Sequence, residues 1–138
     1  MSRGIVTIRI LYCRFAGQLM FFAVIAIILL SVLPIASMKA ADVTTTGSGK
    51  GYFAHLAAYA LLSFLAYSYS LVHPWKNSLV KSALAVFLFS AFLEVVQLFI
   101  PYRSFNPYDM LANAMGVLSG ISAGYLFLYQ MNLLQTKN

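Results

Sequence analysis

Charge is what this sequence has least of. Aspartate, glutamate, lysine and arginine make up 9% of its 138 residues, against about 25% in an ordinary soluble domain. Apolar residues make up 62%, more than a soluble chain this short could hide from water, whereas a bilayer accepts them as solvent. Cysteine occurs once, at Cys13, which excludes an intramolecular disulfide and a thiolate metal cluster. The net charge of +6 is not gathered on one face, as a nucleic-acid footprint would be. The basic residues flank hydrophobic runs instead, as positive-inside anchors do. No nucleic-acid partner is expected.

Four apolar runs approach or exceed the roughly 20 residues needed to cross a bilayer as a helix. They cover about 15–37, 52–72, 79–100 and 110–133. The connections carry turn and breaker residues: Thr44 to Gly49 first, His73-Pro74-Trp75-Lys76 second, and Pro101 to Pro107 third. The sequence therefore predicts an all-α, integral membrane fold over 1–138, a single antiparallel bundle of four transmembrane helices. The first run is too long for a signal-peptide core, and cleavage after Ala40 would place Met38 at the −3 position. It reads as an uncleaved helix.

Orientation follows from the lysines and arginines. With the N-terminus inside, Arg3, Arg9, Arg14, Lys76, Lys81 and Lys137 are inside, and Lys39, Lys50 and Arg103 are outside. Six against three predicts both termini in the cytoplasm.

A bland membrane helix contains no ionisable group, because each costs about 2.5–3.5 kcal/mol at mid-membrane on insertion scales. Three of these helices break that rule. His55 and Tyr59 share a face of the second, with Tyr52 and Ser63. Glu94 and Gln97 share a face of the third, and Asp109 and Asn113 a face of the fourth. The up-down topology gathers all of these toward the outer side, with Arg103 on the connecting loop. Such a cluster reads either as bundle glue, since buried polar groups need partners, or as a functional site. Ala112, Gly116, Gly120 and Gly124 recur every fourth residue, a stripe that lets helix backbones approach closely. It predicts packing inside the bundle, with a homodimer seam as the alternative.

At this point the residues spell a pattern. Glu94-Val-Val-Gln97-Leu-Phe-Ile-Pro101-Tyr-Arg103-Ser104, then Asp109-Met-Leu-Ala112-Asn113-Ala-Met-Gly116, resembles the signature of the VanZ-like family. His55-x-x-x-Tyr59-x-x-Leu62 resembles the motif upstream of it, so the resemblance covers about 52–120. The family commonly has an Asp-Lys pair just before the histidine; Gly51 and Tyr52 stand there instead, with Lys50 displaced. The resemblance implies a bacterial inner-membrane protein connected with the cell envelope, in a family associated with resistance to the glycopeptide teicoplanin. It implies a place and a theme rather than a reaction.

Three functional classes remain open. The first binds or handles a membrane lipid or a lipid-linked envelope precursor. Arg103 and Lys50 would supply charge, and Gln97, Asp109, Asn113 and Tyr59 would contact the headgroup. The second is an intramembrane enzyme with His55 and Glu94 as catalytic acid and base. The third is a transporter, or a structural partner of an envelope complex; the inner half of the membrane has little polarity to continue a path. No zinc-ligand run or phosphate loop is present, so no cofactor and no metal are expected.

Overall fold

The structure, a computed structural model, describes residues 3–32, 50–70, 76–100 and 106–130. Four helices occupy them in chain order: α1 (Arg3–Val32), α2 (Lys50–Ser70), α3 (Ser78–Gln97) and α4 (Pro107–Gln130). The expected all-α membrane bundle is the observed class. By length and composition, Arg14–Val32, α3 and α4 are apolar enough to cross a membrane.

α2 falls short of that threshold for a structural reason. Its 21 residues include His55, Tyr52, Tyr59, Tyr67, Tyr69 and three serines. At 1.5 Å per residue it is about 31 Å long, enough for the hydrocarbon core. It is also the hub of the bundle, packing against α1, α3 and most extensively α4. A helix largely covered by protein has less need of an apolar circumference, and the side that α2 leaves open carries Phe53 and Leu61. α1 shows the opposite: Phe15, Phe21, Phe22 and Leu30 are exposed on it, as lipid-facing side chains are.

The helix ends differ from the expected boundaries in ways local chemistry explains. α1 begins at Arg3, twelve residues before the expected start, because helical geometry continues past the apolar span through a stretch without proline. α4 begins at Pro107, a residue expected in the loop. Asn106 caps it, its Oδ1 accepting from the Tyr108 N–H at 3.1 Å, and proline suits the first helical position. The last turn of α3 tightens into three-residue hydrogen bonds: Leu98 to Val95, Phe99 to Val96 and Ile100 to Gln97. The loop at 44–49 lies outside the described residues.

Asn77, which precedes α3, is left-handed at φ 61°. Asparagine tolerates this region and β-branched residues do not. Asn77→Val is expected to cost about 1–2 kcal/mol and Asn77→Gly almost nothing, read by thermal unfolding in detergent. Equal effects would show that backbone conformation is not the constraint.

The α2–α4 contact is parallel, as up-down connectivity requires of alternate helices. A side chain at Gly116 would meet Leu56, one at Gly120 would meet Ala60, and one at Gly124 would meet Phe64. Each pair is sixty residues apart, so the register is constant over two turns. Tyr12 joins α1 to α2 by a hydroxyl contact of 3.2 Å with Ser68 Oγ. Ser68 donates its own proton to Phe64 O at 2.7 Å, so Tyr12 is the donor.

Candidate functional site

The start of α2, the end of α3 and the start of α4 meet at one end of the bundle, and the polar residues meet there. Asn113 is fully buried at their centre. Its Oδ1 is 2.9 Å from His55 Nδ1, and its Nδ2 donates to Glu94 Oε1 at 3.3 Å. Because that oxygen is an acceptor, the His55 tautomer with the proton on Nδ1 completes the chain His55–Asn113–Glu94. His55 Nδ1 is 3.8 Å from Glu94 Oε1, so a protonated ring would also be an ion-pair partner. Glu94 is 2% exposed and the His55 side chain 24%. The carboxylate is therefore enclosed, and the imidazole is the more exposed of the two.

Asp109 joins this group. Its carboxylate, one Glu94 oxygen and one His55 ring nitrogen all lie within 4.8 Å of one another. Asp109 sits in the first turn of α4, where its charge also complements the helix dipole. Two of the three acidic residues in the whole chain thus meet at one place. Sequence reasoning placed the three residues at one depth; it did not bring these donor atoms within reach of one another.

The other expected site residues are distributed differently. Gln97 is buried and its Nε2 donates to Ser31 O of α1 at 3.5 Å, which makes it a tie between helices. Tyr59 is buried one turn below His55, the ring centroids 6.5 Å apart. Lys50 opens α2, but its side chain lies outside the described residues, as does Arg103. Ala112, Gly116, Gly120 and Gly124 are all buried, and the three glycines face α2.

An apolar groove that was not anticipated runs beside the cluster. Its volume is about 230 Å³ and it lies between α2 and α4, lined by Tyr52, Phe53, Leu56, Tyr108, Leu111 and Met115. The Tyr52 and Tyr108 rings meet edge to face at 6.2 Å, and Asn106 Nδ2 donates to Tyr52 OH at 3.5 Å. The aromatic residues at matching positions of α2 and α4 were the available signal, but only the parallel register pairs them.

Toward the other end of the bundle the structure buries more hydroxyls than the sequence led us to expect: Ser68, Ser70 and Ser82, with Ser63 and Ser90 nearer the middle. Ser68, Ser70 and Ser90 donate to carbonyls of their own helices, at 2.7, 2.7 and 2.8 Å. Protons spent in this way do not form a path between helices.

Comparison with known proteins bears out the resemblance read from the motifs. A family described as VanZ/LLP1 matches residues 7–129. Neither a curated protein nor a solved structure matches the chain. The family match takes in nearly all of the four helices and every residue of the polar cluster, and this chain belongs to the VanZ/LLP1 family.

Proposed function

We propose that this protein binds a lipid or lipid-linked envelope precursor at the outer face of the bacterial inner membrane. The observation that carries this reading is the pairing of His55, Glu94, Asp109 and Asn113 with an apolar groove at the same end of the bundle. A lipid needs both environments: polar partners for its headgroup and an apolar channel for its chain. The positive-inside balance puts this end outside, where envelope precursors are used. Arg103 is the cation that the sequence supplies for a phosphate, and Lys50 would add charge from the start of α2.

Native mass spectrometry of the detergent-released protein tests this. A co-purifying lipid is expected with the intact chain and is expected to be lost from Arg103→Ala at matched folding. A lipid indifferent to that change, or no lipid at all, would overturn the reading.

One observation favours a second reading, acid–base catalysis at the same place: His55 Nδ1 lies 3.8 Å from Glu94 Oε1, beside a groove able to admit a substrate. A modified headgroup among the co-purifying lipids would favour it. Modification that survives both His55→Ala and Glu94→Ala would exclude it.

A further inference from the structure

We propose that His55, Glu94 and Asp109 hold a divalent transition-metal cation, with Asn113 as the residue that positions Glu94. The sequence contains no metal-ligand run and leads to the opposite expectation. The reason is that the three ligands come from three helices, so no spacing along the chain announces them. In space, one donor atom from each lies within 4.8 Å of the other two.

The distances suit such an ion. Zinc bonds to nitrogen and oxygen ligands measure about 2.0–2.2 Å, which puts neighbouring ligand atoms about 3–3.6 Å apart in octahedral or tetrahedral geometry. His55 Nδ1 and Glu94 Oε1 are 3.8 Å apart, so that pair needs only a small contraction, and the Asp109 oxygen, within 4.8 Å of both partners, closes the set by a side-chain rotation. The ring nitrogen turned to Glu94 is Nδ1, which also contacts Asn113 Oδ1 at 2.9 Å. Ligation through Nδ1 requires the ring proton on Nε2. A ring that carries its proton on Nδ1 in the ion-free state therefore changes tautomer when the ion binds. Asn113 Nδ2 holds the Glu94 oxygen at 3.3 Å, whereas the 2.9 Å contact of its Oδ1 with Nδ1 belongs to the ion-free ring, because a ligating Nδ1 has no proton to donate. Asn113 is a positioning residue of the kind that supports ligands in metal sites.

Electrostatics and chemistry agree. Two carboxylate ligands and an imidazole can together balance a dication, which in turn offsets the cost of enclosing acidic groups. One nitrogen and two oxygen donors suit manganese, iron or zinc better than calcium, which takes six to eight oxygens. Three protein ligands leave coordination positions open, as in catalytic rather than structural sites. The inference does not depend on the lipid reading, because the ion alone is the probe.

The test uses the full-length protein in detergent, stripped with chelator, equilibrated with Zn²⁺, Mn²⁺ or Ca²⁺ in turn, and passed over a desalting column. Elemental analysis is expected to find close to one Zn²⁺ or Mn²⁺ per chain and little Ca²⁺, with the ion raising the unfolding temperature. Asp109→Asn is expected to abolish retention while keeping the fold, since a half-buried helix-start charge contributes at most about 2 kcal/mol. Asn113→Ala is expected to weaken retention about 10–100-fold. Glu94→Gln is a second ligand variant, checked for helical circular dichroism and monodisperse elution. No retained ion in the wild type, or retention undiminished in Asp109→Asn, would overturn the proposal.

Discussion

Gly120→Leu is expected to be the most damaging single change in the protein, destabilising it by about 3 kcal/mol or more, at or above the upper end of overpacking effects. A side chain at this position would begin on the backbone oxygen of Ala60, inside any permitted contact. Backbone cannot rotate away as a side chain does, so α2 and α4 must separate. That separation disturbs the most extensive helix pair in the bundle. The glycines form a graded series. At Gly116 the added carbon would lie 2.5 Å from Leu56 O, again backbone. At Gly124 it would lie 3.1 Å from the Tyr67 ring, which can yield. At Gly51 it meets nothing within 4 Å, so alanine there should be neutral or stabilise by up to about 1 kcal/mol through helix propensity. Thermal unfolding of the four alanine variants should rank Gly120 worst, then Gly116, Gly124 and Gly51. A homodimer seam predicts a different result: loss of the dimer on size-exclusion chromatography with the unfolding temperature of the chain unchanged.

The second large effect belongs to Asn113→Leu, expected to cost about 2–3 kcal/mol. Leucine is close in size, so the loss is polar rather than steric. It removes the acceptor that His55 uses and the donor that faces Glu94 Oε1. A buried group deprived of a partner loses about 1–3 kcal/mol, more when it is charged, and lipid offers no water in exchange. Replacing Glu94 with leucine as well removes the carboxylate that lost this donor, so the double variant should be less destabilised than the sum of the two single ones. The coupling is expected to be about 1.5 kcal/mol, near the top of the range for hydrogen bonds between membrane helices. A double-mutant cycle by denaturant unfolding measures it. Additivity within about 0.5 kcal/mol would mean that Asn113 and Glu94 are energetically independent.

Much of this was legible in the chain alone, for reasons specific to membranes. A bilayer demands long apolar runs, and that demand is local, so the helices and their number follow from composition and breakers. It also makes ionisable residues costly, so His55, Glu94 and Asp109 stand out individually wherever they sit. The motif from Glu94 to Gly116 indicated the family, and up-down connectivity implied that the polar residues share one end. The least apolar helix was still recognisable as a helix, although only packing explains its composition: α2 is the hub and meets protein on several sides.

Tertiary structure decided what depends on rotation and register. Whether Gln97 faces a ligand or Ser31 of α1 turns on the azimuth of α3, which a weakly amphipathic sequence does not encode. The constant register of α2 on α4 places Tyr52 beside Tyr108 and His55 beside Asn113, and it opens the groove between the helices; no motif specifies an offset between segments so far apart in sequence. The meeting of two carboxylates and an imidazole within 4.8 Å arises in the same way. Bilayer physics is written residue by residue and can be read from the sequence, whereas a site shared by three helices exists only once their packing is settled.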